Sequence, residues 1–205
     1  MSTRRSSRRQ RQAAATRQDI LSAARRLFAD NGYVATSMAA IAREADTAVQ
    51  TIYDSVGPKS AIILALLEAT EEEAGVGPFR LQLAEAQDSH EMIRLYVALT
   101  RQFMERCGDV VTAMMSAAPT EPDVAAVWQV AKQNHLTGAS FVSERLVRMH
   151  ALRPDVASEE AATTLSVLTW STTWRQLTED HGLSFDDAEG WLNAVLERLL
   201  LREAT

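Results

Sequence analysis

The stretch Thr47-Ala48-Val49-Gln50-Thr51-Ile52-Tyr53 decides the fold. It is short, half polar and closed by an aromatic. A helical pattern, Met38 to Ala45, precedes it, and Gly57-Pro58 breaks the chain behind it. A helix of one or two turns cannot stand alone in water, because nucleation costs more than so few hydrogen bonds return. Other elements must therefore present it. Ile52 is its anchor, with Val49 as a second candidate, and Gln50, Thr51 and Tyr53 are left to face outward.

Working outward, two more helices frame this one. Thr16-x-x-Asp19 has the form of a capping box. Ile20, Ala23, Ala24, Leu27 and Phe28 follow at helical spacing. Asn31-Gly32 ends that helix, with Gly32 where a left-handed residue is usual. Thr36 or Ser37 caps the second helix, which turns Met38, Ile41, Ala42 and Ala45 inward. Only Asp46-Thr47 separates the second helix from the third. Helices joined so tightly cross steeply, which is the helix-turn-helix arrangement.

The chain stays helical beyond Pro58. Lys59 to about Ala74 is one helix, broken at Gly75-Val76-Gly77-Pro78. Segments around 79–86, Ser89–Cys107 and Asp109–Ala118 follow. A long helix then runs from the Pro119 and Pro122 region to about Met149, another covers Ser158–His181, and a last one, capped by Ser184, reaches about Arg202. Strand-like alternation is absent, so the fold class is all-α. Three parts are expected: a basic arm over residues 1–15, disordered in isolation; a helix-turn-helix domain over 16–60; and a helical body over 61–205.

Charge is split along the chain. Residues 1–60 carry ten basic side chains against five acidic ones, whereas the remainder carries eleven against twenty-two. A basic front on an acidic body suits a front that meets a polyanion. Cys107 is the single cysteine, which excludes a disulfide framework. His90, His135, His150 and His181 form no ligand pair on one helix, so neither metal nor cofactor is expected. No apolar run reaches the ~20 residues that span a bilayer, and no apolar core follows the basic N-terminus, so a soluble cytoplasmic protein is expected.

Residues 17–67 resemble the DNA-binding domain of tetracycline-repressor-like (TetR-family) regulators. The resemblance rests on Arg17, Ile20-Leu21, Ala23-Ala24, Leu27-Phe28, Asn31-Gly32-Tyr33, Thr36-Ser37-Met38, Ile41-Ala42, Ala45, Thr51-Ile52-Tyr53, Lys59 and Ile62-Ile63. Asp46-Thr47-Ala48 stands where the family usually has Gly-Val-Ser. Asp tolerates a left-handed backbone, so the turn survives; Ala48 cannot cap, and Thr47 is expected to replace it. Val56 stands where an aromatic is common, and Gly57-Pro58 suits a helix start.

The resemblance implies that the 49–53 helix enters the DNA major groove, with phosphate contacts from Tyr53 and Lys59. Side-chain chemistry agrees: Gln pairs bidentately with adenine, and a Thr methyl packs on a thymine methyl. The candidate DNA-binding residues are Arg8, Arg9, Arg11, Thr36, Ser37, Arg43, Thr47, Ala48, Gln50, Thr51, Tyr53 and Lys59. Several keep a plainer alternative. Thr47-x-x-Gln50 is itself a capping box, so Gln50 either reads a base or folds back on its own helix. Thr51 divides between phosphate and packing, Arg43 between phosphate and solvent. The arginine arm either follows phosphates, enters the minor groove, or stays idle.

In the body, Phe103, Met104, Cys107, Met114, Met115, Trp128, His135, Phe141, Trp170 and Trp174 are candidate walls of a small-molecule site. Met is adaptable and such walls suit an apolar or amphipathic effector, although each residue alone also reads as core, and His135 reads first as a satisfied core histidine. The 158–181 segment has two apolar faces, and the last helix offers a stripe of its own. Two helices from each of two chains would form a four-helix bundle, as the resemblance also implies. Leu165, Leu168, Leu192, Val195, Leu196 and Leu199 are the candidate dimer interface.

The expected function is a ligand-responsive transcriptional regulator, a repressor binding double-stranded operator DNA as a homodimer. A constitutive DNA-binding protein without a ligand is the alternative. An all-α enzyme is remote, since no nucleophile–base pair or paired carboxylates are visible; Glu71-Glu72-Glu73 reads as a solvated run.

Overall fold

The structure is a computed structural model that describes the backbone of residues 2–74 and 76–202 and the side chains of residues 10–69 and 81–202. Among these residues every regular element is a helix, and one isolated bridge joins Leu152 and Leu201. The helices are α1 (Ser2–Asn31), α2 (Met38–Glu44), α3 (Val49–Ser55), α4 (Lys59–Ala74), α5 (Val76–Glu85), α6 (Ser89–Ala117), α7 (Pro122–Arg148), α8 (Ser158–Leu168), α9 (Ser171–Arg175) and α10 (Phe185–Leu200), with a π-turn over Gln176–Asp180 between the last two.

The chain divides into two compact units, residues 1–70 with 109–128, and residues 71–108 with 129–205. This differs from the expected split at residue 60. The end of α6 and the start of α7 belong with the N-terminal helices. Two polar links show why: Arg25 grips Asp109 with a two-bonded fork at 2.6 and 2.9 Å, and the Tyr33 hydroxyl donates to Glu121 at 3.1 Å.

In the first unit, α1 buries Ile20, Ala23, Ala24 and Phe28; α2 buries Ile41, α3 Ile52, and α4 Ile62 and Ile63. Local chemistry sets each boundary. Gly32 adopts φ +79°, and its N–H returns to the Phe28 carbonyl at 3.0 Å, closing α1 as expected. Ser37, not Thr36, caps α2, accepting from the Ala40 N–H at 3.1 Å. α1 begins earlier than the capping box predicts. Thr16 lies inside it and donates its hydroxyl back to the Gln12 carbonyl, because Ala13-Ala14-Ala15, the strongest helix formers, carry the helix through. The backbone of the arm is thus helical. The side chains of Arg8 and Arg9 lie outside the described residues.

The second unit is built on one apolar cluster. It joins Met92, Ile93, Tyr96 and Val97 of α6 to Ala139, Val142 and Leu146 of α7, Ala161 and Leu165 of α8, Trp174 and Leu177, and Ala188, Leu192, Leu196 and Leu200 of α10. Ser184 caps α10 by accepting from the Asp187 N–H, as expected.

Two expected boundaries are corrected. α6 does not break at Gly108. Glycine costs a helix only about 1 kcal/mol, which packing overrides. The 158–181 segment is not one helix. At its break the buried Thr169 hydroxyl turns back to the Leu165 carbonyl at 2.8 Å, and Trp170 takes an extended backbone, ψ 155°. A hydroxyl that competes for a helical carbonyl favours such a bend.

Candidate nucleic-acid interface and effector site

The turn between α2 and α3 carries the interface. Asp46 sits at φ +48°, the left-handed region its short polar side chain tolerates. The Asp46 N–H returns to the Arg43 carbonyl at 3.3 Å and the Thr47 N–H to the Ala42 carbonyl at 2.9 Å. That is a complete Schellman closure, achieved without glycine. It brings α3 out of α2 across the four residues 45–48. Gly57, at φ +118°, closes α3 against the Ile52 carbonyl at 3.1 Å. Arg17 on α1 donates to the Ser55 carbonyl at 3.0 Å, satisfying a carbonyl of the last turn of α3.

Ile52 is the one buried side chain of α3. Ile52 is fully buried, whereas Val49 is exposed, as are Ala48, Gln50, Tyr53 and Asp54. The backbone cap is Ala48, with no side-chain cap, so Thr47 does not replace the missing hydroxyl. Nor does Gln50 fold back onto the helix start. Its amide Nε2 donates to Asp54 Oδ1 at 2.9 Å, one turn on. The capping-box alternative is thereby corrected. One N–H of the amide is spent on Asp54, which fixes its orientation and gives the Asp54 carboxylate a donor within α3. Arg11, Ser37 and Arg43 are exposed, and Thr47 and Thr51 half-buried.

Two expected DNA residues face elsewhere. Thr36 is 3% exposed, and its hydroxyl is held by the carbonyls of Leu27 (3.1 Å) and Gly32 (2.8 Å). It holds the α1–α2 connection and cannot reach DNA. Lys59 is half-buried. Its ammonium donates to the carbonyls of Tyr33 at 2.9 Å and Thr36 at 3.0 Å, and lies 4.2 Å from the centre of the Tyr33 ring. It clamps the α1–α2 connection to the start of α4. Tyr33 itself is buried against Phe28, with ring centres 5.2 Å apart. Burial first, and the bond to Glu121 second, push its phenol pKa well above the ordinary value. It therefore keeps the proton it donates to Glu121.

The candidate effector residues fall in both units. Met114, Met115 and Trp128 belong to the first; Phe103, Met104, Cys107, His135, Phe141, Trp170 and Trp174 belong to the second. Trp174 is fully buried, donates its indole N–H to the Thr100 hydroxyl at 3.2 Å and lies 6.0 Å from the Phe185 ring. Met104, Cys107 and Met114 are likewise buried. His135 is half-buried. Its Nε2 lies 2.9 Å from the Ser166 carbonyl, and its ring meets Trp170 edge-on at 4.7 Å. Burial lowers its pKa, against a smaller opposing pull from Ser166.

The dimer expectation needs correction in detail. Leu165, Leu192 and Leu196 are fully buried inside the second unit's own core and present nothing to a partner. Leu168 and Val195 are half-buried, and Leu199 is exposed. Val167 and Trp191, which lie outside the expected dimer set, are exposed as well. Trp191, Val195 and Leu199 recur at i, i+4, i+8, so they line one outer face of α10. Among the described residues no cluster of His, Cys, Asp or Glu could hold a metal ion, and no helix is long and apolar enough to cross a membrane.

Several side-chain placements were not evident from sequence: the bonds of Arg17 to Ser55 and of Gln50 to Asp54, the Arg25–Asp109 and Tyr33–Glu121 pairs, and the buried Tyr96 hydroxyl. Only Gln50-x-x-x-Asp54 left a readable trace, the i, i+4 spacing.

Residues 20–66 match the family model described as bacterial regulatory proteins, tetR family. The HTH-type transcriptional regulator UidR of Escherichia coli is 32% identical over 138 residues, 67% of each chain. A transcriptional regulator from Saccharomonospora viridis, solved in complex with choline, superposes with a TM-score of 0.75 at 23% identity, covering 93% of this chain and 100% of that one. NalD of Pseudomonas aeruginosa, the secondary repressor of the MexAB-OprM multidrug efflux pump, superposes with a TM-score of 0.72 at 19% identity, covering 94% and 100%.

Proposed function

Because this chain belongs to the TetR family of DNA-binding transcriptional regulators, we propose that it is a repressor released from its operator by a small apolar or amphipathic molecule. It binds a near-palindromic site as a homodimer, with one α3 in each of two successive major grooves. The observation that carries this is the outer face of α3, which holds Gln50 and Tyr53 exposed over a helix pinned by the Schellman turn and Ile52. Gln50 reads a base edge with the amide groups that Asp54 leaves unspent. Tyr53, Arg43, Ser37 and the arm arginines hold phosphate oxygens.

The repressor reading draws on NalD, and the small-molecule reading on the complex of the S. viridis regulator with choline. The dimer forms through the outer faces of α8 and α10, around Val167, Trp191, Val195 and Leu199. Release follows from geometry: operator half-sites lie about 34–36 Å apart, so a small pivot of the two heads loses register. α4 leaves directly from the Lys59 clamp, Arg25 holds Asp109 of α6, and Tyr33 donates to Glu121 just before α7. A shift of any of them would move α3.

Fluorescence anisotropy with DNA from upstream of the protein's own gene tests the reading. Binding should be specific, dimeric and weakened by effector, by ~5–150-fold for ordinary allosteric coupling. Equal affinity for scrambled DNA would refute it.

A further inference from the structure

Two hydrogen-bonding groups of the second unit, one on α6 and one on α7, have capacity to spare. Tyr96 of α6 is only 2% exposed, yet its hydroxyl has no partner. Gly138 of α7 lies against it, so close that an added Cβ would sit 3.6 Å from the ring and 3.9 Å from the oxygen. The neighbouring Thr169 hydroxyl donates to the Leu165 carbonyl, so it could only accept from Tyr96, and the Tyr96 hydroxyl makes no such bond. A buried hydroxyl without a partner is costly, and natural proteins rarely carry one without a use. Burial pushes its pKa up to about 12, so it stays a neutral donor and acceptor.

The second group is His135, one turn before Gly138. Its Nε2 faces the Ser166 carbonyl, and a carbonyl only accepts, so Nε2 carries the proton. Burial disfavours a second proton. Nδ1 is then a bare acceptor, with no partner among the described residues. The Tyr96 and His135 rings are neighbours, with centres 6.4 Å apart. Trp170 supplies an apolar wall at 4.7 Å from the imidazole.

We propose that Tyr96 and His135 form the polar end of the effector site, and that the group they take is a hydroxyl on an otherwise apolar, uncharged molecule. A hydroxyl donates to Nδ1 and accepts from the phenol at once, which satisfies both groups. A carboxylate only accepts and would set its charge against the Nδ1 lone pair. Neither Tyr96 nor His135 takes part in an ion pair among the described residues that would offset that charge. An ether lacks the donor. This inference rests on the effector reading above and names the class of molecule.

The test is calorimetric titration of the full chain, without DNA, with 4-alkylphenols from ethyl to octyl, their methyl ethers and the matching 4-alkylbenzoates. At least one phenol should bind roughly tenfold or more tightly than its ether, with the benzoate weaker again. Tyr96→Phe should reduce the phenol to the ether's affinity and leave the ether's affinity where it was. His135→Phe should do the same. Tyr96→Phe should not lower the melting temperature, because the hydroxyl removed has no partner to lose. The proposal is overturned if no phenol binds, if ethers match phenols, if benzoates bind best, or if Tyr96→Phe melts markedly lower. Operator binding is measured separately. Phenol binding without operator binding would sink the regulator reading and keep this one; operator binding without phenol binding would do the reverse.

Discussion

Replacing Lys59 by Met keeps the stem and removes the ammonium, which separates two roles for this residue. The ammonium donates to two carbonyls, at 2.9 and 3.0 Å, and lies 4.2 Å from the Tyr33 ring centre. Hydrogen bonds from a charged donor contribute about 1.5–3 kcal/mol each. The half-buried position brings that toward the lower end, and the cation–π contact adds about 0.5–1 kcal/mol. Two bonds at the lower end and the ring contact together make the loss about 3.5–4 kcal/mol. For a chain of this length that lowers the melting temperature by roughly 7–16 °C. Arg43→Met is the control. Arg43 is exposed on α2, so stability should change by less than about 0.5 kcal/mol while the salt dependence of DNA binding flattens. Thermal unfolding followed by circular dichroism, beside operator titrations at several salt concentrations, reads both effects. If Lys59→Met melts within about 1 °C of wild type but loses operator affinity, the clamp is idle and Lys59 is a phosphate ligand.

Gln50→Ala should relax discrimination at one base step by ~1–3 kcal/mol, and Asp54→Ala should relax the same step less, because it only unpins the amide; binding to a set of single-base operator variants measures both. Deleting residues 1–15 should flatten the slope of log affinity against log salt; an unchanged slope would show an idle arm. Trp191→Arg and Leu199→Arg should give folded monomers by light scattering with intact circular dichroism, whereas Leu192→Arg should fail to fold, since Leu192 sits inside the core. Breaking the Arg25 fork with Asp109→Ala should cost ~1–2 kcal/mol, since both side chains are about a third exposed, and should weaken effector-dependent release in an anisotropy assay more than it weakens operator binding itself.

The helix-turn-helix was legible because its boundaries are local. Gly32, Ser37, Asp46 and Gly57 each close or open an element through bonds to residues at most five positions away. Contacts made at a distance were not legible. Lys59 and Tyr33 are 26 positions apart, Arg25 and Asp109 are 84 apart, and no local pattern announces such pairs. Thr36 looked like a DNA contact because a Thr before a helix serves equally well as an outward cap or an inward tie. Periodicity also could not choose between faces. On α10 one stripe is Ala188, Leu192, Leu196 and Leu200, which the core takes; the other is Trp191, Val195 and Leu199, which it leaves outside. Both are apolar at the same spacing, so the sequence alone mixed them. The break at Thr169 was hidden for a different reason: Thr16 and Thr163 make the same bond to the carbonyl four residues back, and their helices continue.

The central claim is that the outer face of α3 reads a specific operator. Its most direct test is a footprint of the purified protein on the DNA upstream of its own gene, run beside Gln50→Ala. Wild type should protect two half-sites about 34–36 Å apart, related by a two-fold axis, and Gln50→Ala should lose that preference while retaining salt-sensitive binding to DNA at large. Protection without sequence preference in wild type, or an unchanged footprint in Gln50→Ala, would contradict the account.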